Sequence, residues 1–313
     1  IMIVYRLILL CFFLTPVFDI QAKDQKPIVL MIGTRPETIK IMPVYFALRD
    51  AGLPVILCST GQHLEMVDEA LSIFKVKLDY NFTIMKPQQD LVYITTTVLE
   101  KAVRFFNEVQ PSLVVVQGDT TTALAAALAS FYCKIPVAHV EAGLRTNNIY
   151  APFPEEMNRQ IISKIAALHF SPTKEASLQL EAEGIPKNKI YTTGNTVVDA
   201  LFLIKKQIES GSVEPTLDTR KLIEELKEKG QSPLLLTVHR RESVDNGIEA
   251  VMNTIYDYLL AHPSVTILYP AHPNPLIKEL IKKTKLHTLP NLILLNPLPY
   301  QDLVYILLNS KGV

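Results

Sequence analysis

From Pro27 onward, short apolar runs alternate with amphipathic stretches. The apolar runs are Ile28 to Ile32, Val55 to Cys58, Leu113 to Gln117, Val137 to Val140 and Ala167 to Phe170, each four or five residues long. Runs of that length without polar alternation predict strands buried on both faces, as in parallel sheets. Between them, helical spacing is predicted at Ile39 to Asp50, Leu64 to Phe74, Leu91 to Glu108, Thr121 to Tyr132 and Glu155 to Ile165. Strand and helix in strict alternation predict a doubly wound α/β sheet.

After the run Ile190 to Thr193 the pattern pauses at Gly194, and a polar stretch containing Gly211, Ser212 and Pro215 follows one helix later. A domain boundary is therefore expected near Gly194, giving a first domain over 27–193 and a second over 194–313. The second series predicts strands at Leu234 to Val238, Val265 to Tyr269 and Leu292 to Leu295, and helices at Ile248 to Ala261, Leu276 to Lys283 and Asp302 to Leu308. It stops at Gly312 and Val313, where another strand is expected, so the second domain reads as incomplete.

Residues 1–26 follow a different pattern, with Arg6 ahead of an apolar run from Leu7 to Leu14 and then Thr15, Pro16 and Val17. That run is too short and interrupted to span a bilayer comfortably, and no stable membrane insertion of the folded part is expected. The segment reads as an extension outside the fold, with a secretory signal ending near Ala22 as the alternative.

Composition narrows the functions available. With 31 basic and 31 acidic residues, the chain has no broad positive field of the kind nucleic-acid binders use, so no nucleic-acid partner is expected. Its 313 residues, 48% of them hydrophobic, support real cores. Cys11, Cys58 and Cys133 lie far apart in apolar sequence, which predicts buried thiols in a reducing compartment and no disulfide framework. Histidines and carboxylates show no metal-ligand spacing, so no metal and no cofactor are expected.

Candidate chemistry falls where strands end. In open α/β sheets ligands bind beyond the carboxyl ends of the strands, because loops and helix N-termini converge there. Gly33, Thr34 and Arg35 follow the first strand, Gly118 and Asp119 the third, Glu141 the fourth, and His239, Arg240 and Arg241 the first strand of the second domain. Thr34 and Glu37 have capping-box spacing and are assigned to the helix start. Arg35 is not needed for capping, and with Lys40 it forms a candidate anion cradle. Asp119 is a candidate acid/base group, or else the cap of the helix beginning near Thr121. Glu141 is delivered from the edge of a buried strand, and Glu155 opens a helix, where its charge also suits the helix end. Three carboxylates converging on one cleft point to general acid/base chemistry. His239 through Glu242 form a charged turn suited to a diphosphate, with a plain solvated turn as the alternative. His139, inside a strand, is expected to be a core histidine. Asn274 is expected to open a helix, and Asn195 or Thr196 to cap another.

Six ordered motifs resemble those of the non-hydrolysing bacterial UDP-N-acetylglucosamine 2-epimerases. They are Gly33-Thr34-Arg35-Pro36-Glu37, Gly118 to Thr122, His139 to Thr146, Pro152 to Arg159, Thr193 to Thr196 and His239 to Ser243. The resemblance runs from about Pro27 to the end. It implies a glycosyltransferase-B-like α/β fold, with two Rossmann-type doubly wound domains facing a cleft and the second one truncated. It also implies a cytoplasmic homodimer that interconverts UDP-GlcNAc and UDP-ManNAc for surface polysaccharides. By motif position Arg35, Lys40, Asp119, Glu141, Glu155 and His239 match the family's functional residues; Asp119, Glu141, Glu155 and His239 are expected to be catalytic, and Arg35 and Lys40, with Arg240 and Arg241 from the charged turn, to bind substrate or UDP. The family's serine-glycine-glycine loop, which grips the nucleotide, would lie beyond Val313. Two other readings stand beside this one: a glycosyltransferase on the same fold, and an inactive nucleotide-sugar-binding fragment.

Overall fold

The computed structural model describes residues 26–238, 247–271 and 274–313. The leader 1–25 therefore lies outside the described residues, as do His239, Arg240, Arg241 and the His272–Pro273 pair. The chain divides into two compact units, one up to Leu203 and one from Ile204.

In the first unit, seven parallel strands alternate with helices: β1 (Ile28–Ile32), α1 (Arg35–Asp50), β2 (Val55–Ser59), α2 (Leu64–Phe74), β3 (Tyr80–Asn81), α3 (Leu91–Val109), β4 (Leu113–Gln117), α4 (Thr121–Tyr132), β5 (Val137–Val140), α5 (Glu155–Ile165), β6 (Leu168–Ser171), α6 (Lys174–Ala182) and β7 (Ile190–Thr192). They are ordered β3-β2-β1-β4-β5-β6-β7. The chain winds outward from β1 through β3, then returns to lay β4 on the other side of β1. The reversal between β1 and β4 makes a crevice at their carboxyl ends, the usual place for a ligand in such sheets.

Every residue of β1 and β4 is buried, which is why these strands carry unbroken apolar runs and no polar alternation. Val29, Met31, Val114 and Val116 face a core completed by Val98, Ala102 and Phe106 of α3 and by Ala123, Ala126 and Ala127 of α4. The alanine-rich sequence of α4 lets α3 and α5 approach it closely, so this helix is buried without large side chains.

The second unit holds a three-stranded parallel sheet in the order β10-β9-β8, formed by β8 (Leu234–Leu235), β9 (Ile267–Pro270) and β10 (Leu292–Leu295). Its helices include α8 (Leu217–Glu228), α9 (Gly247–Ala261), α10 (Pro275–Lys283) and α11 (Tyr300–Asn309), and α7 (Thr196–Glu209) crosses from the first unit. Successive β9 residues face opposite layers. Ile267 and Tyr269 pack with Ile248, Met252 and Ile277 from α9 and α10, while Leu268 packs with Ile223, Leu226 and Ile306 from α8 and α11. Gly312 bridges to Leu234 in parallel on the free side of β8. No described helix is long and apolar enough to cross a membrane.

The structure shortens the strand expected at Leu234 to Val238 to two residues and starts the one expected at Val265 at Ile267. It also adds β3, α6 and α8, which the hydrophobic pattern did not mark. Asn274 caps α10 through its side chain, which accepts from the Leu276 amide. Asn195 Oδ1 accepts from the Val197 amide at the start of α7. Cys58 is buried and Cys133 half-buried, both as free thiols.

Candidate functional site

The site in the first unit is built around the turn Gly118-Asp119-Thr120 at the end of β4. Thr120, and not Asp119, caps α4: its side chain accepts from the Ala123 amide. The capping alternative for Asp119 therefore falls away, and its carboxylate is free for other work. Arg159 reaches Asp119 from α5 at 2.9 Å, and Asn158 Nδ2 donates to the Asp119 carbonyl at 2.8 Å.

Asp119 senses the rest of the site electrostatically. Burial is the largest influence and raises its pKa; Glu141 and Glu155 add to the rise, while Arg159 and Lys40 oppose it. The net shift is upward. Only nearby charges act this way, so the three carboxylates singled out in the sequence, together with Lys40, share one neighbourhood. One consequence concerns Glu155→Gln. Removing a negative neighbour eases ionisation of Asp119, so its titration, followed by carboxyl-carbon NMR, moves to lower pH. A titration that stays in place would mean that Glu155 does not share the site.

Glu141 sits just past β5 with a positive φ of 67°, a conformation that is uncommon for a residue other than glycine. Its Oε2 accepts from Lys40 Nζ at 2.6 Å and Gln117 Nε2 at 2.7 Å. Oε1 has no partner among the described residues. Lys40 was expected beside Arg35 as an anion-binding cation. Here it lies one turn deeper in α1, where its nearest anion is Glu141. Arg35 is half-buried at the first turn of α1 and has no hydrogen-bond or ion-pair partner among the described residues. A guanidinium left unpaired beside a helix N-terminus is a natural anchor for an anionic ligand.

Glu155 and Glu156 are adjacent but do different work. Glu156 is fully buried. It accepts from the Thr146 and Asn147 amides and from Gln160, and lies 3.5 Å from Arg159. It therefore fixes the loop that follows Glu141. The Glu155 side chain is half-buried and without a partner among the described residues, which leaves it available for chemistry.

Two supporting residues, Gln117 and Arg159, carried no signal of their own in the sequence. Both act through partners far away in the chain. Glu37 completes the capping box, with Oε2 accepting from the Thr34 amide at 2.7 Å. It also accepts from Thr120 Oγ1, and burial pushes its pKa up to about 7 against those hydrogen bonds. His139 is the core histidine that its strand position implied. Its Nε2 lies 2.7 Å from the Gly118 carbonyl, so Nε2 carries the proton, because a carbonyl can only accept. Burial holds its pKa down to about 3, so the ring is neutral. His63 sits at the start of α2, its pKa lowered by burial.

A sequence model described as UDP-N-acetylglucosamine 2-epimerase matches residues 47–313. The chain belongs to this family. It is 40% identical over 283 residues to a probable UDP-N-acetylglucosamine 2-epimerase of Ralstonia solanacearum, covering 90% of this chain and 75% of the relative. To the UDP-N-acetylglucosamine 2-epimerase of Escherichia coli K12 it is 39% identical over 287 residues, covering 90% and 74%. Among solved structures, the Neisseria meningitidis UDP-GlcNAc 2-epimerase bound to UDP-GlcNAc superimposes with a TM-score of 0.80 at 38% identity, covering 91% of this chain and 76% of that one. The Methanocaldococcus jannaschii enzyme in complex with UDP-GlcNAc and UDP does so with a TM-score of 0.73 at 30% identity, covering 91% and 77%. These epimerases share the two-unit, glycosyltransferase-B-like α/β architecture of this chain.

Proposed function

We propose that this protein inverts C2 of UDP-N-acetylglucosamine to give UDP-N-acetylmannosamine, and the reverse, by eliminating UDP and adding it back. The observation that carries this reading is the gathering of Asp119, Glu141 and Glu155 around the carboxyl ends of β4 and β5, beside Lys40 and an unpaired Arg35. The C2 proton of such a sugar has no neighbouring carbonyl to acidify it, so direct removal faces a large barrier. Elimination avoids that barrier. A carboxylate takes the C2 proton, the C1–O bond to UDP breaks with its electron pair, and a C1=C2 double bond forms. Re-addition of UDP to C1, with a proton delivered to C2 from the opposite face, completes the inversion.

The residues divide by chemistry. Carboxylates on more than one side of the sugar serve removal and delivery of the proton. Cationic groups stabilise the charge that develops on the departing diphosphate. Arg35 suits that role, and by motif position His239, with Arg240 and Arg241 beside it in sequence, is assigned to it as well. Lys40 holds Glu141 in place. The family's cytoplasmic setting, homodimeric assembly and supply of ManNAc units to surface polysaccharide belong to the same proposal.

Incubation with UDP-GlcNAc in D2O tests it. The expected result is deuterium at C2 of the recovered UDP-sugars, with both epimers present. A glycosyltransferase of the same architecture leaves that proton alone, and a binding fragment retains UDP without exchange. Either outcome would overturn the reading.

A further inference from the structure

Two loops flank the reversal between β1 and β4. One leads into α1 with Arg35 and Lys40, and the other carries Asp119. A single buried side chain joins them. Glu37 is 1% exposed, and its Oε2 accepts from the Gly33 amide at 3.0 Å, the Thr34 amide at 2.7 Å and Thr34 Oγ1 at 2.8 Å. Its Oε1 accepts from Thr120 Oγ1 at 2.6 Å.

Of these, a capping box needs only the bond from the Thr34 amide. The second oxygen does something else, because it reaches a residue 83 positions away on the opposite loop. The Thr120 hydroxyl both accepts and donates. It accepts from the Ala123 amide at 3.0 Å and gives its one proton to Glu37. The rest of the turn is held from other elements, by His139 on the Gly118 carbonyl and Asn158 on the Asp119 carbonyl. The loops also meet without slack, since a Cβ on Gly33 would lie 2.3 Å from Thr122 Oγ1.

We propose that Glu37 and Thr120 are a pair of positioning residues that fix the distance between the cation-bearing loop and Asp119, and so govern turnover without touching substrate. This rests on the epimerase reading. If the cations hold the leaving diphosphate while Asp119 acts at C2, a small change in loop separation misaligns the two halves of one transition state, and an error of 1 Å costs ~100-fold in rate.

The test compares the wild type with Thr120→Val and Thr120→Ser, using kcat and KM for UDP-GlcNAc together with amide hydrogen exchange. Thr120→Val removes the hydroxyl, so kcat should fall by ~10- to 100-fold with KM unchanged, and Thr120→Ser should restore it. Exchange should quicken at the Gly33 and Thr34 amides, which lie on the far side of Glu37. A loss confined to capping would quicken only the start of α4. Unchanged kcat in Thr120→Val, or unaltered protection at Gly33 and Thr34, would overturn the pairing. If the wild type itself shows no exchange at C2, the epimerase reading fails instead, and the amide readout still decides whether the pair couples the loops.

Discussion

Glu141→Gln lowers deuterium incorporation at C2 by ~10²- to 10⁴-fold, the range expected when a positioned acid or base is removed, while UDP still binds. The reasoning begins with shape. Glutamine is nearly isosteric, and its amide oxygen can take the place of Oε2, accepting from Lys40 and Gln117 as the carboxylate does. What disappears is the ability of the other oxygen to take or give a proton. Some loss of stability is expected, because the Lys40 and Glu141 side chains are only 23% and 13% exposed and the variant leaves the Lys40 charge largely buried without its anion. The measurement is C2 exchange beside a thermal melt and a UDP titration. A variant that folds, binds UDP and still exchanges at the wild-type rate would remove Glu141 from the chemistry. One that fails to fold would make it a structural residue.

The strands beneath the site were legible because their burial is complete. Ile28 to Ile32, Leu113 to Gln117 and Val137 to Val140 stand where continuous apolar runs place them, since each is covered on both faces. The two-residue strand Tyr80–Asn81 was not legible, because it is an edge strand with one exposed residue and has no apolar run to mark it. The α6 helix escaped for a similar reason. It buries only Ala176, Ser177 and Leu180, too few apolar positions to show a helical period.

Within the site, sequence reasoning found the groups that protrude and missed the bonds that hold them. Asp119, Glu141 and Glu155 stood out as carboxylates just past apolar strands or at a helix start. The bonds that hold them did not stand out, because each acts over a long separation: Gln117 on Glu141 across 24 positions, Thr120 on Glu37 across 83, and Lys40, marked in the sequence as an anion-binding cation, on Glu141 across 101. Nothing local in the sequence marks such bonds. Competition for one cap was equally invisible, since either Asp119 or Thr120 could begin α4, and only the bond from Ala123 to Thr120 decides it.

Gly143→Ala is expected to be the most damaging single methyl addition near the site, and the reason lies in what surrounds it. Gly143 has a φ of +91°, and a Cβ built there lies 2.3 Å from the Ala176 carbonyl oxygen and 2.9 Å from its carbon. That carbonyl belongs to the first turns of α6, so relief requires moving a helix and not merely turning a side chain. Left-handed backbone costs an L-residue ~1–2 kcal/mol, and overpacking adds ~1–3 kcal/mol. Together they approach the lower end of the ~5–15 kcal/mol that stabilises a typical domain. Gly118→Ala is the matched control. Its φ is also positive, at +68°, but nothing lies within 4 Å of the added Cβ, so only the backbone term applies. Urea denaturation of the two variants separates strain from collision: Gly143→Ala should lose several kcal/mol and Gly118→Ala about 1 kcal/mol. Equal losses would mean that α6 yields freely to the β5 loop. The short chain from Glu141 to Gly143 would then not be anchored against that helix, and the strained backbone that presents Glu141 would need another support.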